Sequence, residues 1–394
     1  MLRRTGFRYW LLANSSSWGG AVLCPPPSEG GTVISEEVRD VTEAIQDKRP
    51  ESHRRDAQSI LVDVKVLSVM LTFTCPAECE SCGTLSSPKN RENITADMAM
   101  RYMREARKLH FGLVVFTGGE ATLRWKDLLR CVGYSKEIGL LNRLVTNGHW
   151  ALNEMVAADK IDALVKAGLD EINFSTGDEH TRYIPLDRVA LGAKTAVTRG
   201  LHTCIMLELK QPTRMDRGTI LSHPYIATLA PELREKLAIN ESPWMPMDPD
   251  HHYEYPVEIL ANRNSMVHQK GCDSVLGTYT LQGDGRIGSC CGLGMRTIDE
   301  LNVGRTGDFL ADIIAKAEQD WIKLGIRFLG PARMLQFAAK MDPGIEWENQ
   351  YAHHCHACSR IYKDARVKHA LRENIGKLIP KIKEAIVIDN GLFA

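Results

Sequence analysis

No run of apolar residues in this chain approaches the roughly 20 needed to span a bilayer. An excess of charge of one sign is lacking too: Lys+Arg and Asp+Glu balance at 49 each over 394 residues. A neutral total gives no electrostatic case for wrapping nucleic acid, so neither a nucleic-acid nor a membrane partner is expected. The opening MLRRTGFRYWLLANSSSWGG superficially resembles a signal peptide. Its apolar core, Tyr9 to Ala13, is shorter than the usual h-region of about 7–15 residues. The chain is therefore read as soluble and cytoplasmic. A disulfide framework is missing as well. Of eleven cysteines, seven stand in three tight places: Cys75, Cys79 and Cys82; Cys290 and Cys291; Cys355 and Cys358. Clustered thiols in a reducing compartment point to metal.

Residues 1–65 read as an appendage. Asn14 to Ser17, Pro25 to Pro27 and Gly30–Gly31 are loop-like, Glu36 to Ile45 could form one short helix, and DKRPESHRRD is a charged linker. A partly disordered extension is the plain reading and a substrate-docking segment the alternative.

From residue 66 strands and helices alternate. Strands are predicted over 67–74, 112–117, 142–147, 170–176 and 202–210, with helices over 96–109, 123–138, 151–167 and 186–199. Repeated βα units imply a parallel sheet with right-handed crossovers. Five units are visible and a sixth is obscure between residues 211 and 250, so the expected fold is α/β, a partial (β/α)6 barrel. In such folds functional groups sit at the C-terminal strand ends. Val69, Leu71 and Phe73 share one face of the first strand, Ser68, Met70, Thr72 and Thr74 the other. The apolar face would pack on helices and the more polar one would line the barrel interior.

TFTCPAECESCGT sets Cys75, Cys79 and Cys82 in a C-x3-C-x2-C spacing directly after the first strand. At this cysteine content such a triple arises by chance in about one chain in a hundred. Three thiolates can hold three irons of a [4Fe–4S] cluster and leave the fourth open. A structural zinc site would want a fourth ligand, and none lies nearby in sequence. FTGGEATL follows the second strand, VTNG ends the third and FSTGD the fourth.

These motifs resemble the radical S-adenosylmethionine (radical SAM) superfamily, whose signature is C-x3-C-x2-C after the first strand. The resemblance implies that the open iron chelates S-adenosylmethionine, which is cleaved reductively to a 5′-deoxyadenosyl radical that takes hydrogen from the substrate. It implies that Gly118, Gly119 and Glu120 form the loop binding the methionine amino group, with Glu120 as acceptor. It adds Asn147 and Ser175 as cofactor contacts. Asp178 and Glu208 join them as candidates; Glu208 either contacts cofactor or substrate or accepts an interior hydrogen bond. One departure is Ser81, where relatives commonly carry an aromatic residue that contacts adenine.

Further on, TYTLQGDGRIGSC reads as a hairpin turning at Gly283–Asp284–Gly285. Cys272, then Gly285, then Cys290, with Cys355 and Cys358 in HHCHACSR, resemble the auxiliary-cluster domains called SPASM and twitch. The cysteine count fits one auxiliary [4Fe–4S] cluster, on Cys272, Cys290, Cys355 and Cys358. Four cysteines could instead hold zinc. A thioredoxin-like pair lacks its fold context, and a c-type haem would need His where Ser359 stands. His353, His354 and His356 are expected on an exposed loop. Cys24 and Cys131 are read as bystanders, and Cys204 as packing inside the barrel. Cys291 is left over: a small buried hydrophobe, or the thiol that gives a hydrogen atom to a substrate radical.

The expected organisation is an extension (1–65), a radical SAM barrel (66–250), a small α+β auxiliary-cluster domain (251–365) and a C-terminal helix (366–394). The resemblance implies hydrogen abstraction from a peptide (cross-linking, epimerisation or oxidation). The alternatives are radical dehydrogenation or rearrangement of a small molecule such as a polyol, and, from another class, a non-catalytic iron–sulfur sensor or carrier. S-adenosylmethionine and a donor such as flavodoxin or ferredoxin are the implied partners.

Overall fold

The computed structural model describes residues 65–247, 253–291 and 295–389. The readings made for residues 1–64, Cys24 among them, lie outside the described residues.

Nine strands form one sheet in the order β6-β5-β4-β3-β2-β1-β7-β8-β9. Strands β1 (Val66–Met70), β2 (Leu113–Thr117), β3 (Leu141–Thr146), β4 (Glu171–Thr176), β5 (His202–Leu209) and β6 (Leu237–Pro243) run parallel, each beside the next. Helices α1 (Ala96–Lys108), α2 (Trp125–Glu137), α3 (Glu154–Ala167) and α4 (Leu186–Thr198) make the first four crossovers. Their ends are written locally. Thr95 caps α1 by accepting the Met98 N–H, Asn153 caps α3 by accepting that of Val156, and Gly168, at φ 96°, closes α3 in the left-handed conformation.

The architecture is the partial barrel the alternation implies. Leu67, Val69, Leu71, Phe73, Val114, Phe116, Ile172 and Phe174 are buried in the core, and Ser68 and Thr72 are buried with them. The helical side of β4 is tight enough that a Cβ on Gly192 of α4 would lie 2.7 Å from the Phe174 ring. Regular strand ends earlier than predicted, at Met70. Beyond it the chain makes only isolated bridges, Thr72 to Asn93 and Thr74 to Ser87.

The sixth strand is Leu237–Pro243, reached through helical turns at 217–222, 224–227 and 231–234. The sheet then continues past β1. Strand β7 (Thr278–Leu281) pairs parallel with β1, and β8 (Arg286–Gly288) and β9 (Asn302–Arg305) follow antiparallel. Gly285, at φ 79°, makes the turn between β7 and β8. Five more helices close the chain: α5 (Leu310–Ala317), α6 (Trp321–Phe328), α7 (Pro331–Met341), α8 (His354–Lys363) and α9 (Ala365–Asp389), of which α6 to α9 pack on one another. No helix among the described residues is long and apolar enough to cross a membrane.

Candidate active site

The loop after β1 carries Cys75, Cys79 and Cys82 at the C-terminal mouth of the barrel, and it is tied down on every side. Cys75 N–H donates to Ser87 O, and Gly119 N–H and Glu120 N–H donate to Thr72 O and Thr74 O. A Cβ on Gly119 would stand 2.3 Å from Thr74 O, and one on Gly118, at φ 125°, 2.5 Å from Thr72 O. These glycines let the loop after β2 lie directly on the backbone that leads into Cys75. From the other side, Tyr183 Oη donates to Glu78 O at 2.6 Å. Phe73, at the root of the loop, lies under the Arg296 guanidinium at 3.6 Å and against Gly283 of the hairpin turn.

Two of the three sulfurs already receive hydrogen bonds. Cys75 Sγ accepts from Ala77 N–H at 3.4 Å and from Asn147 Nδ2 at 3.5 Å. Cys82 Sγ lies 3.3 Å from Thr84 Oγ1 and accepts from Ser86 N–H at 3.5 Å. Burial pushes the Cys75 thiol up to about 12, helped by the Glu120 charge. It pushes Cys79 up further, where Cys82, Glu208 and Cys75 add to the effect. Without metal these groups are protonated thiols, so metal binding must release their protons. Three soft sulfur donors on one loop, two of them supported by hydrogen bonds, fit an iron–sulfur cluster bound on one side.

Glu120 is 1% exposed, and its carboxylate is already occupied by the protein's own donors. Oε1 accepts from Thr122 N–H at 3.1 Å, Thr122 Oγ1 at 2.6 Å and Thr146 Oγ1 at 2.9 Å, and Oε2 accepts from Asn147 N–H at 2.8 Å. Trp150 Nε1 donates to Thr146 Oγ1 at 3.1 Å and extends the network to the next loop. The sequence pattern marks Glu120 as a ligand-facing acceptor; the geometry makes it the tie between the second and third strand ends.

The other expected contacts divide similarly. Ser175 is half-buried on β4, on the face opposite the buried Phe174 ring. Asp178 accepts from Arg214 N–H at 2.9 Å, which engages it with the following loop. Glu208 is 4% exposed; it accepts the Glu179 N–H and lies 3.2 Å from His180 Nδ1. Gly177, at φ 138°, leaves the space Glu208 fills, since a Cβ there would fall 1.8 Å from Glu208 Cγ. Of the two readings open for Glu208, the interior hydrogen bond is the one present. Sequence reasoning missed Thr146, Thr122 and Thr84, and also Tyr253, whose hydroxyl lies 2.7 Å from Ser81 Oγ. That contact puts an aromatic residue beside the position where one was lacking, from 172 residues away. No local signal marks it.

The remaining cysteines gather at the other end of the sheet. Cys272 precedes β7 and Cys290 follows antiparallel β8, so both lie toward the N-terminal end of β1, opposite Cys75. Cys355 and Cys358 stand in the first turns of α8. Each of these four thiols has others of the group among its electrostatic neighbours, and desolvation raises Cys272 to about 12 and Cys290 and Cys358 well above their ordinary value. Thiolates are the donors of iron–sulfur and zinc groups; among the described residues no three metal-ligating side chains are drawn together into a closed ion site. Cys131 is fully buried under α1, 3.9 Å from Ala96 O, and Cys204 is half-buried on β5.

One expectation changes here. His353, His354 and His356 are not on an exposed loop. His353 caps α8 by accepting the Cys355 N–H at 3.0 Å, and His356 is 1% exposed with its ring edge-on to Tyr351 at 5.0 Å. The helix supplies burial that the polar string HHCHAC hides. Cys291 sits with Ser274 Oγ at 3.6 Å from its sulfur, beside the start of β7. Cys291 thus lies toward the N-terminal end of β1, and Cys75 beyond its C-terminal end. With Cys291→Ala run in heavy water, product and deuterium content are expected to be unchanged, and total iron to equal that of the unaltered chain. Loss of solvent deuterium from the product would restore the donor role. Loss of iron from the Cys272 group in this variant, but not in Cys290→Ala, would make Cys291 the ligand in place of Cys290.

Comparison with known proteins agrees with this geometry. Residues 69–205 match the radical SAM superfamily. Over 113 residues the chain is 31% identical to the PqqA peptide cyclase of Rhodopseudomonas palustris, covering 28% of each chain. Over 142 residues it is 30% identical to a probable GTP 3′,8-cyclase of Saccharolobus solfataricus, covering 34% of this chain and 44% of that one. The chain thus spans less than half the length of these relatives. Among solved structures it is similar in fold to Streptococcus suis SuiB bound to its precursor peptide SuiA, with TM-score 0.51, 12% identity and 83% of each chain covered. It is also similar to anSMEcpe with bound AdoMet and a peptide, with TM-score 0.50, 11% identity, 81% of this chain and 99% of that one. The superfamily match runs from β1 into β5 and includes the loop with the three thiols at the barrel mouth.

Proposed function

We propose that this chain abstracts hydrogen from a peptide, using a [4Fe–4S] cluster on Cys75, Cys79 and Cys82 and S-adenosylmethionine held beside it. The observation that carries the reading is the thiol loop itself, fixed by Gly119, Glu120 and Tyr183 at the barrel mouth. When bound, the cluster and S-adenosylmethionine supply the one-electron cleavage and the hydrogen-abstracting radical. The protein's part is orientation and exclusion of water. Asn147 and the Thr84–Ser86 segment hold the sulfurs, and Ser175 and Glu208 stand on the strand faces opposite the buried Phe174 and Leu207.

The peptide reading draws on the likeness to a peptide cyclase and on the auxiliary thiols. It also draws on a cleft of about 490 Å³ lined by Gln211, Tyr253, Glu254, Tyr255, Leu260, Asn349 and Gln350. The proposed units are the barrel (66–250), the auxiliary domain (251–365) holding a second cluster on Cys272, Cys290, Cys355 and Cys358, and a C-terminal helix (366–394). A low-potential carrier such as flavodoxin or ferredoxin would feed electrons. A nucleotide substrate is the second reading, favoured by the likeness to a probable GTP cyclase. The test incubates reduced, iron-loaded protein and S-adenosylmethionine with a peptide panel and with GTP, and reads products by mass spectrometry. Mass change in a peptide is expected. Turnover of GTP alone would overturn the peptide reading.

A further inference from the structure

The geometry points to Asn147 as the residue that sets how easily the cluster on the thiol loop is reduced, by donating a hydrogen bond to the Cys75 sulfur, with Glu120 aiming it. This rests on the cluster proposed above but assigns a property of it that the motif does not.

The orientation of the carboxamide is fixed chemically. Oδ1 accepts the His149 N–H at 3.0 Å and lies 3.2 Å from His149 Nδ1. A backbone N–H can only donate, so the atom facing it must be the oxygen. The amide nitrogen is therefore the atom 3.5 Å from Cys75 Sγ. The backbone of Asn147 is held in turn, its N–H given to Glu120 Oε2 at 2.8 Å. Thr146 just before it is bonded to Glu120 Oε1 and to the Trp150 indole. Asn147 is 6% exposed and Glu120 1%, so solvent competes with neither bond. A chain of buried contacts thus runs from the loop after β2, through the end of β3, to one of the three sulfurs.

A cluster gains negative charge when it is reduced, and that charge spreads onto its thiolate sulfurs. A hydrogen bond to such a sulfur is charge-assisted and favours the reduced form, which is one of the ways proteins tune cluster potentials. The carboxylates nearest Cys79 are themselves engaged, Glu179 with Lys210 at 2.7 Å and Arg182 at 3.1 Å, and Glu208 with His180 at 3.2 Å. Asn147 is a positioning and tuning residue, not one that touches substrate.

The test is the midpoint potential of the full-length, iron-loaded protein, followed by electron paramagnetic resonance on the signal that responds to S-adenosylmethionine. Asn147→Leu removes the donor at similar volume. Asn147→Asp keeps the acceptor for His149 N–H and removes the donor while adding charge. At the wild-type midpoint the reduced-to-oxidised ratio is expected to fall about tenfold in Asn147→Leu, about 59 mV for one electron, and further in Asn147→Asp. If wild-type protein shows no responsive cluster signal, the function proposed above fails first. If the signal is present but its midpoint is unmoved, or moves positive, in either variant, the inference is overturned. Loss of the cluster from both variants, with the chain still folded by circular dichroism, would make Asn147 part of cluster retention and would also overturn it.

Discussion

Replacing Cys75, Cys79 and Cys82 together with Ala is expected to abolish formation of 5′-deoxyadenosine while leaving about half of the iron, that bound at the other end of the sheet. The three thiols share one loop, and the proposed auxiliary ligands Cys272, Cys290, Cys355 and Cys358 lie beyond the opposite end of β1. The two groups hold no ligand in common, so the loss is confined to one. The loop itself is fixed by backbone bonds to Ser87, Gly119 and Glu120 that the substitutions leave in place. The variant therefore folds, and circular dichroism checks this. Residual 5′-deoxyadenosine at matched iron content would remove the central assignment.

Glu120→Ala has the second largest expected effect, and it falls on stability before it falls on cofactor affinity. Truncation strands the N–H groups of Thr122 and Asn147 and two threonine hydroxyls in a region shut off from water. A buried donor left unsatisfied costs about 1–3 kcal/mol, and the hydroxyls can turn to other acceptors, so a loss on the order of 3 kcal/mol is expected. The measurement is the urea midpoint of metal-free protein, which separates folding from cluster binding. Lowered affinity for S-adenosylmethionine with an unchanged midpoint would show that the carboxylate faces the cofactor after all.

Much of this was legible in the sequence, and the failures have physical causes. Strands β1 to β5 are written in alternation such as Ile172 and Phe174 against Asn173 and Ser175. The cysteine spacing and the Gly118–Gly119–Glu120 turn stand at strand ends, where a site belongs. Strand β6, LAINESP, was hidden because its second half is polar. The parallel pairing of β7 with β1 joins residues more than two hundred positions apart and leaves no local trace. The motif marked Glu120 and Asn147, but which way a carboxylate or an amide turns depends on Thr122, Thr146 and His149, which no spacing rule connects to them. The histidines around Cys355 were misplaced because burial by α8 comes from packing rather than from composition.

Strand β1 has one neighbour from the barrel, β2, and one from beyond residue 270, β7. A chain cut near residue 256 would lose the second and expose the N–H and C=O groups that pair with it. An open strand edge invites another strand, its own kind included. The barrel is thus not separable material: trimming the chain there would leave an aggregation-prone edge at the strand that carries the cysteine loop.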